Sequence, residues 1–143
     1  MHKNLTPSAL VDDLKPAFIA ISDQIWGMPE LRYHETQAVA LQAAEMEARG
    51  FCVTRNLTGI PTAFMAEAGE GGPVIAILGE FDALAGLSQQ AGVARKEPLE
   101  AGGNGHGGGH NLRGAGAMLA AVALRDYLAA KGLPGRVRYY GCP

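Results

Sequence analysis

Hydrophobic and polar positions along the chain follow helical spacing first. Apolar residues three and four apart predict a helix that starts from a cap at Ser8 and runs to about Trp26. Pro16 lies inside this pattern and predicts a late start or a kink. A second helix is predicted over residues 35–49, closed by Gly50 in a left-handed conformation.

The next segments change to strand spacing. Residues 51–57 and 62–68 are predicted strands, and the Gly-Ile-Pro turn between them predicts an antiparallel pair. Five consecutive apolar residues at 74–78 predict a strand covered on both faces. A polar loop, a helix over 110–131 and a strand over 136–141 follow. This strand–helix–strand order predicts a βαβ unit with parallel strands.

Composition narrows the class of protein. The 143 residues are 48% hydrophobic and 18% charged, which is typical of one globular domain. The net charge is −2 and no basic block occurs, so nucleic acid and anionic membranes are not expected partners. No apolar run approaches a membrane span, and the N-terminal residues lack the apolar stretch of a signal peptide.

The two cysteines, Cys52 and Cys142, form no disulfide framework, which favours a cytoplasmic location. Each lies in a short apolar segment, so both are predicted to be small buried hydrophobic residues.

Side chains that could bind a metal ion lie between the first strand and the helix of the βαβ unit. Glu80 and Asp82 leave the carboxyl end of the 74–78 strand, and His106 and His110 lie in a loop that is unusually rich in glycine. Because ligands bind beyond the carboxyl ends of parallel strands, these side chains predict a divalent-metal site at one rim. The competing interpretation is structural: Asp82 as a turn residue and the histidines as ordinary surface or core residues.

The glycines also allow a second hypothesis. Residues 103–108 satisfy the pattern G-x-G-x-x-G ahead of a helix, as in phosphate-binding loops. About twenty residues separate this loop from the preceding strand, whereas a dinucleotide fingerprint needs a tight turn. Nucleotide binding is therefore the weaker hypothesis.

Motifs with a consistent order occur at residues 26–31, 34–35, 59–63, 79–84, 105–112 and 137–143. Together they resemble the N-terminal part of the M20 metallopeptidase and amidohydrolase family, in the branch of the aminobenzoyl-glutamate hydrolase subunits. The resemblance implies a three-layer α/β fold with a mixed, mainly parallel sheet and flanking helices. It also implies that residues 1–143 are the N-terminal part of the catalytic domain, without the dimerisation domain.

The resemblance implies hydrolysis of an amide bond in N-acyl or N-aroyl amino acids, or in dipeptide-like substrates, at a site with two Zn²⁺ or Mn²⁺ ions. His110 matches a metal ligand, and Asp82 matches the aspartate that supports the metal site. Glu80 stands where relatives carry His or Asp. His106 matches a motif residue that has no assigned ligand role. Glu80 and His106 are therefore the two further candidates for the metal site. The resemblance further implies a homo- or hetero-oligomer for the full-length protein.

Two departures set the expected activity. Gly108 stands where the branch carries a cysteine ligand, and the general-base glutamate of the family follows the Gly-Cys-Pro strand with which this sequence ends. The chain is therefore expected to be an inactive fragment of an amidohydrolase. The alternative is a non-catalytic partner of a related active subunit. Either hypothesis requires the side chains of Asp82 and His110 to lie together.

Overall fold

A computed structural model of the protein describes residues 5–143. Residues 1–4 lie outside the described residues, so part of the predictions for the N-terminal segment and for a 1–143 domain is not covered. Two α-helices come first, three strands follow, and a third α-helix and a fourth strand complete the order. Their bounds are α1 Pro7–Trp26, α2 Thr36–Ala48, β1 Cys52–Arg55, β2 Phe64–Glu70, β3 Val74–Glu80, α3 His110–Lys131 and β4 Gly135–Cys142.

The strands form one mixed sheet in the order β1-β2-β4-β3. β1 pairs with β2, and β2 with β4, in antiparallel fashion, whereas β3 and β4 are parallel. The predicted α/β class with a mixed sheet, the antiparallel pair and the parallel βαβ unit are confirmed. The expectation that parallel pairs predominate is wrong for residues 5–143, because β4 has the parallel β3 on one side and the antiparallel β2 on the other.

The core lies on one face of the sheet. Phe64 and Ala66 on β2, and Val137 and Tyr139 on β4, are buried at alternate positions and therefore point to the same side. Residues of α1, α2 and α3 belong to the same cluster. Within residues 5–143 the helices thus form one layer on one face of the sheet, so the described residues show two layers and not the predicted three.

β3 departs from its predicted environment. Val74, Ile75 and Leu78 are 41%, 38% and 65% exposed, so the prediction of a strand covered on both faces is wrong. The reason is position: β3 ends the order of strands, has β4 as its neighbour and carries helices on one face of the sheet. A row of apolar side chains on an edge strand favours association with further protein.

The helix ends follow capping chemistry that the sequence analysis placed only in part. Thr6, not Ser8, caps α1, and its side chain accepts a hydrogen bond from the Ala9 amide at 3.1 Å. Pro7 occupies the first turn, where its missing N–H costs nothing. Pro16 lies inside the continuous helix, so the predicted late start is wrong.

Two further predictions have different outcomes. Gly50 has φ +85°, as the left-handed cap of α2 requires. Cys52 is exposed rather than buried, because β1 lies at the other end of the strand order. Cys142 is half-buried. None of the helices in residues 5–143 has the length and apolar character that crossing a bilayer requires.

Candidate active site

Three elements bring the predicted side chains to one edge of the sheet. Glu80 ends β3, and its register partner Cys142 ends β4. His110 begins α3 at the same edge. The expectation that these groups gather at a common rim is confirmed, because a βαβ unit returns both strands with the same orientation.

Asp82 is held by the connection between α1 and α2. The amide of Ala83 donates to the carbonyl oxygen of Glu30 at 2.7 Å. The Glu30 carboxylate in turn accepts from the amides of Gln37 at 3.0 Å and Ala38 at 2.9 Å. Glu30 therefore caps α2 from outside the helix and fixes the segment that carries Asp82.

His110 is placed by the close approach of α3 to β3. Gly109 enters the helix with φ +77°, a conformation that glycine adopts without strain. A Cβ atom at Gly114 would lie 2.8 Å from the carbonyl oxygen of Glu80, so a larger residue there would force the helix away. The glycines thus set His110 directly over the end of β3.

The side chains at this rim contact one another. His110 Nδ1 lies 2.5 Å from Asp82 Oδ1, and His110 Nε2 lies 3.2 Å from Glu80 Oε2. Arg113 Nη1 lies 2.8 Å from Glu80 Oε2 and 3.4 Å from His110 Nε2. We call Glu80, Asp82, His110 and Arg113 the rim cluster. The required proximity of Asp82 and His110 is confirmed.

The rim cluster orients the imidazole of His110. An Asp82 carboxylate at Nδ1 favours the tautomer that donates from Nδ1 and leaves Nε2 as the electron-pair donor. This is how carboxylates support histidine ligands in metal proteins. His110 Nε2 faces Glu80 and Arg113. The Arg113 guanidinium therefore contacts both His110 Nε2 and Glu80 Oε2, two atoms that could donate an electron pair to a metal ion.

The residues present do not fit a two-metal centre. Among residues 5–143 no group of three or more His, Cys, Asp or Glu side chains is arranged to hold a metal ion. Asp82 and Glu80 approach different nitrogens of one ring, so their oxygens do not converge with it on a common point. Gly108 offers no donor, and the Arg113 guanidinium supplies positive charge at Glu80.

Two ionisable side chains lie buried beside the rim cluster. Glu35 is fully buried, and neither of its carboxylate oxygens has a hydrogen-bond partner. Burial raises the pKa of Glu35, and nearby Asp82 adds to this. The hydroxyl of Thr62 and the backbone at Glu35 and Tyr33 offset part of the rise without reaching hydrogen-bond geometry.

His106 is the second buried group. It is 9% exposed, and neither ring nitrogen has a hydrogen-bond partner. Burial lowers the pKa of His106 and so favours the neutral ring. The backbone at Ile25, which does not reach hydrogen-bond geometry, and the charge of nearby Asp82 oppose this effect. His106 lies near the rim cluster without joining its contacts, and its role stays a prediction.

Sequence reasoning missed Arg113 and the burial of Glu35. Arg113 follows His110 by three residues, and side chains with that spacing share a helix face, so the helix prediction could have placed it at the rim. Glu35 carried no such signal.

At Cys142, burial raises the pKa of the thiol, with Glu80 as a further cause.

Comparison with solved structures identifies the class to which this fold corresponds. A dinuclear metal-binding peptidase of the M20 family from Bacillus subtilis matches with a TM-score of 0.72 and 24% identity, over 94% of this chain and 35% of that one. An aminobenzoyl-glutamate utilization protein from Klebsiella pneumoniae matches with a TM-score of 0.62 and 16% identity, over 96% and 38%. The fold is that of M20 hydrolase domains.

The sequence comparison is more specific. A subunit of the p-aminobenzoyl-glutamate hydrolase of Escherichia coli K12 is 54% identical over 123 residues, which are 86% of this chain and 26% of that protein. The resemblance to the M20 family, in the branch of these hydrolase subunits, is confirmed. The chain spans about a quarter of the length of the curated relative it matches. No protein-family model matches the chain.

Proposed function

We propose that residues 1–143 are the N-terminal, metal-site part of an M20-type catalytic domain whose reaction is hydrolysis of an amide bond in N-acyl or N-aroyl amino acids or dipeptide-like substrates. The observation that carries the proposal is the contact between Asp82 and His110 at the carboxyl edge of the sheet. The identity of 54% to a p-aminobenzoyl-glutamate hydrolase subunit supports the class of substrate.

We also propose that these 143 residues do not catalyse the reaction alone. Amide hydrolysis needs an activated water and a group that carries its proton to the leaving nitrogen. The rim cluster orients one imidazole, but Glu80 is paired with Arg113 and Gly108 carries no side chain. The Zn²⁺ or Mn²⁺ of the family therefore lacks a sufficient set of donors among residues 5–143.

We also propose that the protein is cytoplasmic and that the full-length protein forms a homo- or hetero-oligomer. Both cysteines are free, as is typical of proteins in the reducing cytoplasm. The Escherichia coli relative is named as a subunit, which supports an assembled rather than a solitary protein.

The test is an assay of amide cleavage by the 143-residue chain. p-Aminobenzoyl-glutamate is incubated with the chain and either Zn²⁺ or Mn²⁺, and the release of p-aminobenzoate is measured. We expect no release above that of His110→Ala, whereas the Escherichia coli enzyme serves as the positive control. Turnover that disappears in His110→Ala would contradict the proposed inactivity.

The alternative is a non-catalytic partner of a related active subunit. The exposed apolar edge of β3 favours it, because such an edge can pair with another chain. Size-exclusion chromatography with light scattering distinguishes the outcomes. A defined complex with the Escherichia coli relative would support this alternative, and a chain that forms only aggregates would dismiss it.

A further inference from the structure

An apolar groove of about 170 Å³ lies between α1 and α3 on the solvent side of the helical layer. Its apolar walls come from Phe18 and Ile19 on α1 and from Leu112 and Leu119 on α3. Ile19 and Leu112 are 53% and 66% exposed. The rim cluster does not line the groove, so the proposed hydrolysis does not account for it. Exposed apolar side chains that adjoin one another are typical of an interaction surface.

The groove is held in shape where α1 contacts the start of α3. The buried side-chain amide of Asn111 donates to the Ser22 hydroxyl at 3.0 Å and to the Ser22 carbonyl oxygen at 3.3 Å. Ser22 is itself buried and lines the groove. Because these bonds hold the two helices together, their exposed side chains keep fixed relative positions. A partner could therefore bind without rearranging the helices.

Two opposite charges flank the exposed apolar side chain of α1. Lys15 comes four residues before Ile19 and Asp23 comes four residues after it, and both line the groove. Residues four apart share one helix face, and each charge lies about 6 Å from Ile19 along the helix axis. Within the described part of the chain no other charged side chain lines the groove. The groove thus has one positive end, one negative end and an apolar centre.

This arrangement is complementary to itself. In a dimer with a two-fold axis the same surface of each copy faces the other, and every contact occurs twice. When two α1 helices lie antiparallel with the axis beside Ile19, Lys15 of each copy lies opposite Asp23 of the other. Inside one copy about 12 Å of helix separates these two residues. There, Lys15 pairs with Asp12 at 3.3 Å, and both side chains are exposed, so this pair contributes little and can be exchanged.

We propose that the protein forms a two-fold symmetric dimer through the groove between α1 and α3, with two Lys15–Asp23 ion pairs around an apolar centre that includes Ile19 and Leu112. A second copy is favoured over a strongly charged partner because the charges of the groove balance each other. Since the groove is small, the dimer is transient. The proposal goes beyond amide hydrolysis and concerns a surface other than the edge of β3.

Analytical ultracentrifugation of the full chain under reducing conditions, from roughly 10 µM to 1 mM, measures the monomer–dimer equilibrium. Ile19→Gln makes the centre of the interface polar at an exposed helix position. It should raise the dissociation constant by about tenfold or more, because each dimer loses two buried apolar side chains. The matched control is Leu78→Gln, the same kind of change at a side chain that is 65% exposed on β3. The control should dimerise as the wild type does.

Charge reversal tests the pairing itself. Lys15→Glu and Asp23→Lys each place like charges opposite one another twice, so each should raise the dissociation constant by about tenfold. In an equimolar mixture of the two variants every pair across the interface again has opposite charges. The mixture, and the variant that carries both changes, should therefore recover dimerisation to within about threefold of the wild type. Such recovery cannot arise inside one copy, where the two residues are too far apart to pair.

Circular dichroism checks that each variant folds, and the amide-cleavage assay is independent of these measurements. The proposal is overturned if the chain stays monomeric or forms only larger aggregates, if Ile19→Gln dimerises as the wild type does, or if the mixture shows no recovery. A dimer that is lost in Leu78→Gln but kept in Ile19→Gln would place the interface at β3. A complex with the Escherichia coli relative alone, lost in Ile19→Gln, would assign the groove to that partner. Either result contradicts the proposed dimer.

Discussion

The rim cluster and the buried groups beside it place ionisable residues in opposite circumstances. At the rim, Glu80, Asp82, His110 and Arg113 contact one another and share positive and negative charge. Beside it, the carboxylate of Glu35 and the ring of His106 are buried without hydrogen-bond partners. The charged groups of the rim cluster thus have oppositely charged neighbours, although Glu80 Oε2 also lacks a hydrogen bond, whereas Glu35 and His106 are buried without such contacts.

The largest predicted effect is a gain in Zn²⁺ affinity when a cysteine ligand is added to the rim cluster. In Gly108→Cys with Arg113→Leu, a thiolate joins His110 and the competing guanidinium is removed. The new Cβ atom would meet the Leu84 Cδ1 atom at 3.7 Å, an ordinary contact. Even an outer partner of a ligand changes metal affinity by about 10–100-fold, so we expect the affinity for Zn²⁺ to rise by more than roughly 100-fold.

Competition with a chromophoric chelator under reducing conditions measures this gain. The matched control is Gly116→Cys with Arg113→Leu, because Gly116 is exposed on the same helix with open space around it. A gain of equal size in the control would show that the thiol acts alone, and the rim geometry would then have no part in it.

Replacing Glu35 should have a smaller effect, on the stability of the fold, and this effect should depend on pH. The unfolded carboxyl loses its proton near its ordinary pKa of 4.5, whereas the folded one holds it to higher pH. Between these two values the folded state binds more protons, so stability falls as pH rises through the window and stays low above it. Glu35→Gln removes the charge and should stabilise the protein by about 1–3 kcal/mol at neutral pH.

Urea denaturation of Glu35→Gln and wild type at pH values from 4.5 upward measures this difference. The two stability curves should approach each other at the acidic end and separate toward neutral pH. Glu70→Gln, exposed at the far edge, should follow the wild type throughout. A variant that is less stable than wild type at neutral pH would show that the Glu35 carboxylate is well solvated or paired.

Arg113→Ala should have the least effect on stability. The Arg113 and Glu80 side chains are 63% and 41% exposed, and ion pairs of that exposure contribute little to stability. We expect the free energy of unfolding to change by less than about 1 kcal/mol. A loss of several kcal/mol in the same urea experiment would mean that the rim cluster behaves as a buried network.

Much of the fold could be predicted from local pattern. Helical periodicity located α3, and the order of elements required β3 and β4 to be parallel. The same order brought Glu80 and His110 to one edge, so the rim followed from topology. The environment of β3 could not be predicted this way, because five apolar residues look alike on an edge and in the middle of a sheet.

The finer parts of the site were beyond sequence reasoning for another reason. Burial of Glu35 depends on how α2 packs against the sheet, which no local pattern encodes. Arg113 is different, since its spacing from His110 contained the information and the contact with Glu80 follows from the helix.

We propose that Asp82 and His110 are the carboxylate–histidine pair of an M20 site, in which Arg113 contacts Glu80. Zinc titration of the wild-type chain against His110→Ala, followed by competition with a chromophoric chelator, is the decisive test. We expect the two proteins to bind Zn²⁺ equally weakly. Tight binding by the wild type that is lost in His110→Ala would contradict the proposal that residues 5–143 lack a sufficient set of donors for the metal.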